Sequence, residues 1–173
     1  MKRIFCAISA FVATAFVATT VDAQTVLFKT DTISNCYRIP ALLKTNDGKI
    51  MAISDFRPCR TDVGGGVIDV VAKTSADNGA TWGEERTLVK GDGPNKPFDV
   101  AHGDAAVVCD RKTGEMLMMC ASGNVWYWRS TLENPNRVGR YYSKDGINWT
   151  GGEITSDIFS LMKGAVHKLF FSS

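Results

Sequence analysis

The 173-residue chain has little of several features that would mark its chemistry. Histidine occurs only twice, at His102 and His167, and neither has the neighbours of a metal-ligand motif. No phosphate-binding glycine loop and no Ser-His-Asp set is recognisable. The formal net charge is only +2, with no basic stripe, which argues against a nucleic-acid partner. We therefore expect no metal and no cofactor, and we interpret His102 as a structural or rim residue.

Long hydrophobic runs are absent after the first residues. Lys2 and Arg3 precede the apolar run Ile4–Ala18, and Val21–Ala23 supplies small residues for a cleavage site. This pattern predicts a signal peptide over residues 1–23. The run is too short for a comfortable transmembrane helix, and no later segment approaches roughly 20 apolar residues. We expect a secreted or periplasmic protein with no integral membrane segment.

Cysteine is sparse once the predicted signal peptide, with Cys6, is removed. The mature chain keeps Cys36, Cys59, Cys109 and Cys120, which allow three pairings. Cys109 and Cys120 flank a predicted hairpin turn but fall out of register for a bridge across it. Export permits disulfides without requiring them, so buried free thiols are the favoured interpretation.

Helical periodicity is also nearly absent, and short β-rich runs alternate with Gly, Asn and Asp turns. The same plan occurs twice, aligning Ala41 with Ala105, and a third unit is predicted to begin at His167–Phe171. Repetition of a four-stranded unit is typical of β-propeller blades. Since propellers need about four to eight blades, an all-β chain with about two is expected to be part of a longer fold. The predicted strands are Ile39–Thr45, Lys49–Ser54, Val67–Thr74 and Glu85–Lys90, then Asp104–Asp110, Glu115–Ala121 and Val138–Tyr142.

Two turns share a recognisable pattern. Ser75–Trp82 fits S-x-D-x-G-x-T-W, the Asp-box, and Ser143–Trp149 is a version one residue shorter. The Asp side chain is expected to accept backbone N–H groups inside the turn, while Gly supplies a positive φ and Trp packs on the sheet. Such turns indicate a fold and say little about function.

A second motif narrows the interpretation. Tyr37-Arg38-Ile39-Pro40, together with the two Asp-boxes and the export signal, resembles the bacterial exo-α-sialidase (neuraminidase) family. The resemblance implies a six-bladed β-propeller. Residues 24–173 would be the truncated N-terminal part of its catalytic domain. The resemblance also implies hydrolysis of terminal α-linked sialic acids from glycoproteins, glycolipids or oligosaccharides, with no cofactor.

Arg38 is the first candidate site residue. Sialic acid carries a carboxylate on its anomeric carbon, and a planar guanidinium can grip a carboxylate with two parallel hydrogen bonds. Sialidases resemble one another in using three such arginines, and Arg38 matches the first. The alternative is that Arg38 pairs with a structural carboxylate.

The loop after the second predicted strand holds the candidate general acid and base. In the family this loop carries an aspartate that protonates the leaving oxygen and later activates water. Asp62 matches it, five residues after Arg57 and just before a run of three glycines. Asp69 is the rival, although it lies within a predicted strand.

Other residues match the family's sugar contacts. Arg57 resembles an arginine near the O4 end of the sugar, the alternative being a loop salt bridge. Asp104 resembles an aspartate near O4 and the N-acyl group. Trp126 and Trp128 are candidates for the wall of the acetamido pocket, although packing under a loop explains either equally well.

The family's nucleophile, a tyrosine activated by a glutamate, and its other two arginines come from later blades. A neutral nucleophile avoids repulsion by the substrate carboxylate, and the whole enzyme is expected to be retaining. This chain alone is expected to be inactive. The rival interpretations are a non-catalytic Asp-box propeller that binds sialylated glycans, a structural propeller, and a degenerate gene product.

Overall fold

The computed structural model describes residues 25–31, 34–58 and 60–161. Within these ranges the chain forms eight strands, one short helix and two single turns of 3₁₀ helix at 98–100 and 127–129. The predicted signal peptide and the predicted third unit at His167–Phe171 lie outside the described residues. The elements are β1 (Asn35–Lys44), β2 (Ile50–Pro58), β3 (Asp69–Ser75), β4 (Arg86–Val89), β5 (His102–Cys109), β6 (Met116–Ser122), β7 (Arg137–Ser143), β8 (Thr150–Glu153) and α1 (Thr155–Leu161).

The strands form two antiparallel meanders, β1-β2-β3-β4 and β5-β6-β7-β8. The sequence predicted the four-stranded plan and seven of the strands, while β8 and α1 were not predicted. A parallel bridge joins Ile68, just before β3, to Ala101, just before β5, and His102 N–H donates to the Ile68 carbonyl at 3.0 Å. Two sheets arranged in this way do not close a ring.

The first strand of each sheet carries the same irregularity. Register shifts mark a bulge at Ile39 in β1 and at Asp104 in β5. Both residues have positive φ, 52° and 53°, which is costly for a residue other than glycine and requires support from the surroundings. The bulges match Ala41 with Ala106, so the sequence alignment with Ala105 was wrong by one residue.

Among the described residues, the larger of two hydrophobic core clusters lies between the sheets. Its most buried members come from both sheets, because one face of each sheet is apolar and must be covered. They include Met51, Ile53 and Val70 from the first sheet and Ala105, Met116, Met118 and Cys120 from the second.

The two patterned turns have the predicted local hydrogen bonds. Asp77 Oδ1 accepts the Thr81 N–H at 2.8 Å, and Gly79 has φ 91°. Asp145 Oδ1 accepts the N–H groups of Ile147 and Asn148, both at 2.8 Å. Each turn is therefore closed by its own aspartate.

Cysteine usage departs in part from expectation. Cys109 and Cys120 are free thiols, as predicted. Cys36 is disulfide-bonded, so the expectation of free thiols throughout was wrong. In the part of the chain that the structure describes, no helix is long and apolar enough to cross a membrane.

Candidate active site

A buried arginine organises the candidate site. The Arg57 side chain lies near the end of β2 with no exposed surface, and three carboxylates surround it. Its Nη1 donates to Asp62 Oδ1 at 2.7 Å. Its Nη2 lies 3.1 Å from Asp55 Oδ2 and 3.9 Å from Asp104 Oδ1. We call these four residues the Arg57 cluster.

The Arg57 cluster draws on both sheets. Asp55 precedes Arg57 by two residues, so both side chains lie on the same face of β2. Asp62 lies in the loop after β2, and Asp104 comes from the bulge of β5. Since a buried charge without partners costs several kcal/mol, the three acids are what keep a guanidinium at this position.

The Asp62 loop is fixed from two sides. Asp62 Oδ1 also accepts the N–H of Val63 at 2.8 Å, while the side chain keeps 46% of its surface exposed. A Cβ on Gly64 would lie 2.2 Å from the Trp126 backbone nitrogen, and one on Gly65 would lie 2.4 Å from the Trp126 ring. The glycines therefore allow the loop to press against the Trp126 segment.

Asp104 is held by its backbone as well as by its charge. Its N–H donates to both carboxylate oxygens of Asp55, at 3.1 Å each. A Cβ on Gly103 would lie 2.8 Å from Asp55 Oδ2, so only glycine fits before Asp104. The bulge of β5 is thus built around the Asp55 carboxylate of the other sheet.

The pKa values of two carboxyl groups of this site, Asp55 and Asp104, are raised. Burial raises the pKa of Asp55 to about 7, with smaller increases from the charges of Asp104 and Asp62. The Asp104 N–H and the Arg57 charge act in the opposite direction on that pKa. Burial, and then the Asp62 charge, also raises the pKa of Asp104, while Arg57 and Arg38 oppose that rise.

Arg38 is the exposed cation of the site. It lies in β1 next to the bulge residue, and its carbonyl accepts the Ser54 hydroxyl at 2.9 Å. Its charge acts on the Asp104 carboxyl, which places the two side chains in one electrostatic neighbourhood. An exposed guanidinium whose charge acts on a carboxyl group of the Arg57 cluster suits an anionic ligand.

The structure brings Arg57, Asp62 and Asp104 together, with Arg38 near enough for its charge to act on Asp104. It adds Asp55, which sequence reasoning did not single out. The available signal was an acid two residues before Arg57 on the same strand face. Asp69 lies elsewhere: its Oδ1 accepts the Gly91 N–H at 2.7 Å and it takes no part in the Arg57 cluster.

The tryptophans predicted as accessory residues lie beside the site, whereas His102, interpreted from the sequence as a structural or rim residue, lies in the core. Trp126 and Trp128 stack with ring centroids 4.8 Å apart, and Trp128 is 60% exposed. His102 is fully buried, with Nδ1 3.0 Å from the Ser122 hydroxyl oxygen, and burial lowers its pKa to about 4. Within the described ranges, no group of acidic, His or Cys side chains is arranged to hold a metal ion.

Comparison with known proteins supports the sialidase family. A sialidase from Micromonospora viridifaciens is 39% identical over 83 residues, which are 47% of this chain and 12% of that protein. A sialidase from Paraclostridium sordellii is 32% identical over 133 residues, which are 73% of this chain and 32% of that protein. The chain therefore spans a third or less of these relatives. No protein-family model matches it.

Solved structures agree in fold. A Hadza microbial sialidase superposes with a TM-score of 0.58 at 29% identity, covering 69% of this chain and 26% of that one. A leech intramolecular trans-sialidase, solved with 2,7-anhydro-Neu5Ac, gives a TM-score of 0.51 at 20% identity over 65% of this chain and 19% of that one. The two antiparallel sheets are similar to parts of sialidase domains.

Proposed function

We propose that this chain forms part of an exo-α-sialidase with a six-bladed propeller, which hydrolyses terminal α-linked sialic acids of glycoproteins, glycolipids or oligosaccharides. The observation that carries the proposal is the Arg57 cluster, which holds Asp62 and Asp104, with Asp104 within reach of the charge of the exposed Arg38, in a chain whose homologues are sialidases. The predicted signal peptide adds the proposal that the protein is secreted or periplasmic.

Arg38 and Asp62 carry the proposed chemistry. Arg38 would bind the sialic acid carboxylate with two parallel hydrogen bonds. Asp62 would donate a proton to the leaving glycosidic oxygen and then remove one from the attacking water. Among the described residues, both hydrogen bonds that the Asp62 side chain accepts end on Oδ1, so its Oδ2 suits the proton transfer.

Arg57 and Asp104 have different access to a substrate. The Arg57 side chain has no exposed surface, whereas Asp104 retains 9% of its own. We propose that Asp104 makes the direct contact near O4 and the N-acyl group. Arg57, predicted from the sequence as a substrate contact, would act by holding Asp62 and Asp104. The stacked Trp126 and Trp128 are proposed to wall the acetamido pocket.

The nucleophile would come from elsewhere. The chain spans 12% and 32% of its two curated relatives. The family resemblance assigns a nucleophilic tyrosine, its glutamate and two further arginines to later blades. We therefore propose a retaining mechanism completed by segments beyond this chain, and no activity for this chain alone.

A fluorogenic sialoside assay tests the proposal on this chain and on the longest product of its reading frame. Activity is expected only in the longer product. On an alkyl sialoside, whose leaving oxygen needs a proton, Asp62→Asn should lose at least a hundredfold, the range for removing a general acid. Arg38→Ala should lose a similar factor on both the alkyl and the fluorogenic substrate, because it removes the proposed carboxylate contact. Arg111→Ala and Asp157→Asn change exposed residues of the same types outside the site and should leave activity unchanged.

Two results would contradict it. Full activity on the alkyl sialoside in Arg38→Ala or Asp62→Asn would remove the assigned roles. A folded longer product that binds sialosides without cleaving them would favour the alternative, a non-catalytic propeller that recognises sialylated glycans.

A further inference from the structure

Asp55 is a buried acid at the junction of the two sheets. Its side chain is completely buried in β2, where an aliphatic residue would avoid the cost of burying a carboxyl group. It contacts the Arg57 guanidinium of its own strand and the Asp104 backbone of the other sheet. A buried acid that joins two sheets at a site requires an explanation beyond packing.

We propose that Asp55 is a positioning residue of the proposed sialoside site, whose carboxylate fixes Arg57 and the Asp104 bulge and thereby aims the Asp62 and Asp104 carboxylates. The inference rests on the proposed function. Asp55 is too buried to touch a substrate, so its effect must pass through its neighbours.

The contact with Asp104 calls for a carboxylate in particular. One N–H approaches both oxygens at 3.1 Å, an arrangement that needs two equivalent acceptors. An asparagine offers a single acceptor oxygen, and its NH₂ group would face either the Asp104 N–H or the Arg57 Nη2. The amide would therefore keep the shape of the side chain and lose one of the two contacts.

The backbone around Asp55 supports the same conclusion independently. Asp104 has φ 53°, a conformation that persists in a non-glycine residue only when its surroundings enforce it. Gly103 leaves room for the Asp55 oxygen, which a Cβ would approach to 2.8 Å. The bulge itself recurs at Ile39 in β1, so the feature specific to β5 is the space beside Gly103, which the Asp55 carboxylate occupies.

The test uses the leaving group of the substrate. If Asp55 aims the general acid Asp62, Asp55→Asn should slow hydrolysis of an alkyl sialoside, whose leaving oxygen needs a proton, at least tenfold more than hydrolysis of an activated aryl sialoside. Thr155→Val removes another buried oxygen that accepts a backbone N–H, that of Val138 in β7, which β6 separates from the strand of Asp104. It should lower the melting temperature and affect both substrates equally.

A second measurement does not depend on activity. In ¹⁵N-resolved spectra of this chain at a pH above 7, where the Asp55 carboxyl is ionised, the Asp104 amide proton should move upfield in Asp55→Asn and Asp55→Ala, and remain in place in Thr155→Val. Equal losses on the two substrates, or an unchanged Asp104 amide, would overturn the role of Asp55 while leaving the sialidase proposal standing. A folded wild-type protein inactive on every sialoside would instead overturn the proposed function and this inference with it.

Discussion

At the scale of one residue, burial raises the pKa of Asp55 and so makes the stability of the fold depend on pH. Its pKa of about 7 in the folded protein lies above the ordinary value of 3.8, because burial disfavours the charge. The folded state therefore binds the proton more tightly than the unfolded state, and stability falls as the pH rises from about 4 to about 7. Arg57, Asp62 and Asp104 face this carboxyl and set where within that window the change falls.

The corresponding prediction concerns Asp55→Asn, which cannot titrate. Between pH 4 and pH 7 its free energy of unfolding should rise relative to that of the wild type, by on the order of 3 kcal/mol. Urea denaturation of both proteins at several pH values measures the difference. Parallel curves would mean that Asp55 does not titrate in this window.

His102 should behave in the opposite way. Burial lowers its pKa from 6.5 to about 4, which favours the neutral ring, and the nearby Asp99 carboxyl only partly opposes this. Stability from the neutral ring is present above pH 6.5 and is lost as the pH falls toward 4. Relative to His102→Gln, the wild type should lose about 3 kcal/mol of unfolding free energy over that range. A constant difference between the two proteins would contradict the assignment.

The sequence was sufficient to predict four residues of the site, but not how they are arranged around Asp55. Arg38, Arg57, Asp62 and Asp104 were predicted because each lies in a motif with a recognisable chemistry. Asp55 was missed because its role depends on Asp104, whose approach is set by a bulge in the other sheet. A contact across two sheets leaves no periodic signal along the chain.

At the scale of elements, the pattern of apolar residues along the sequence predicted the strands that bury side chains. It missed β8, which is held by backbone contacts. Strand β8 is Thr-Gly-Gly-Glu, without a large apolar residue, and a Cβ on Gly151 would lie 1.9 Å from the Arg140 carbonyl oxygen. Close backbone approach therefore defines this strand. Helix α1 is a single short element whose first residue, Thr155, accepts the Val138 N–H at 3.1 Å. Neither element has enough apolar residues to produce a period.

The turn after β7 also locks the two sheets together, which leads to a prediction at this scale. Gly146 has φ 71°, and a Cβ there would lie 2.9 Å from Met51 Sδ in the first sheet. Gly48 has φ 86° with nothing within 4 Å of its Cβ position, so it is a matched control for backbone strain alone. Gly48→Ala should cost about 1 kcal/mol, and Gly146→Ala at least about 1 kcal/mol more. Equal losses of unfolding free energy in the two variants, measured by chemical denaturation, would show that the Met51 side chain moves aside at no energetic cost.

At the scale of the whole described molecule, the shared core predicts that the two sheets unfold cooperatively. Side chains from both sheets form one hydrophobic cluster, so neither sheet covers its apolar face without the other. Fully buried Ile53 lies in the first sheet and fully buried Met118 in the second. Damage to either side chain should therefore weaken both sheets.

Ile53→Ala and Met118→Ala test this directly. Each should lower the free energy of unfolding by about 2–5 kcal/mol, because it removes buried methyl groups and leaves a cavity. Amide hydrogen exchange should accelerate by a similar factor in β2 and in β6 in both variants, since the slowest amides exchange through global unfolding. The exposed Leu42, 71% accessible, provides the control: Leu42→Ala should change neither strand. We do not expect either sheet to be stable alone, because its face of buried aliphatic side chains would be exposed to water. Acceleration confined to the mutated sheet would contradict this expectation.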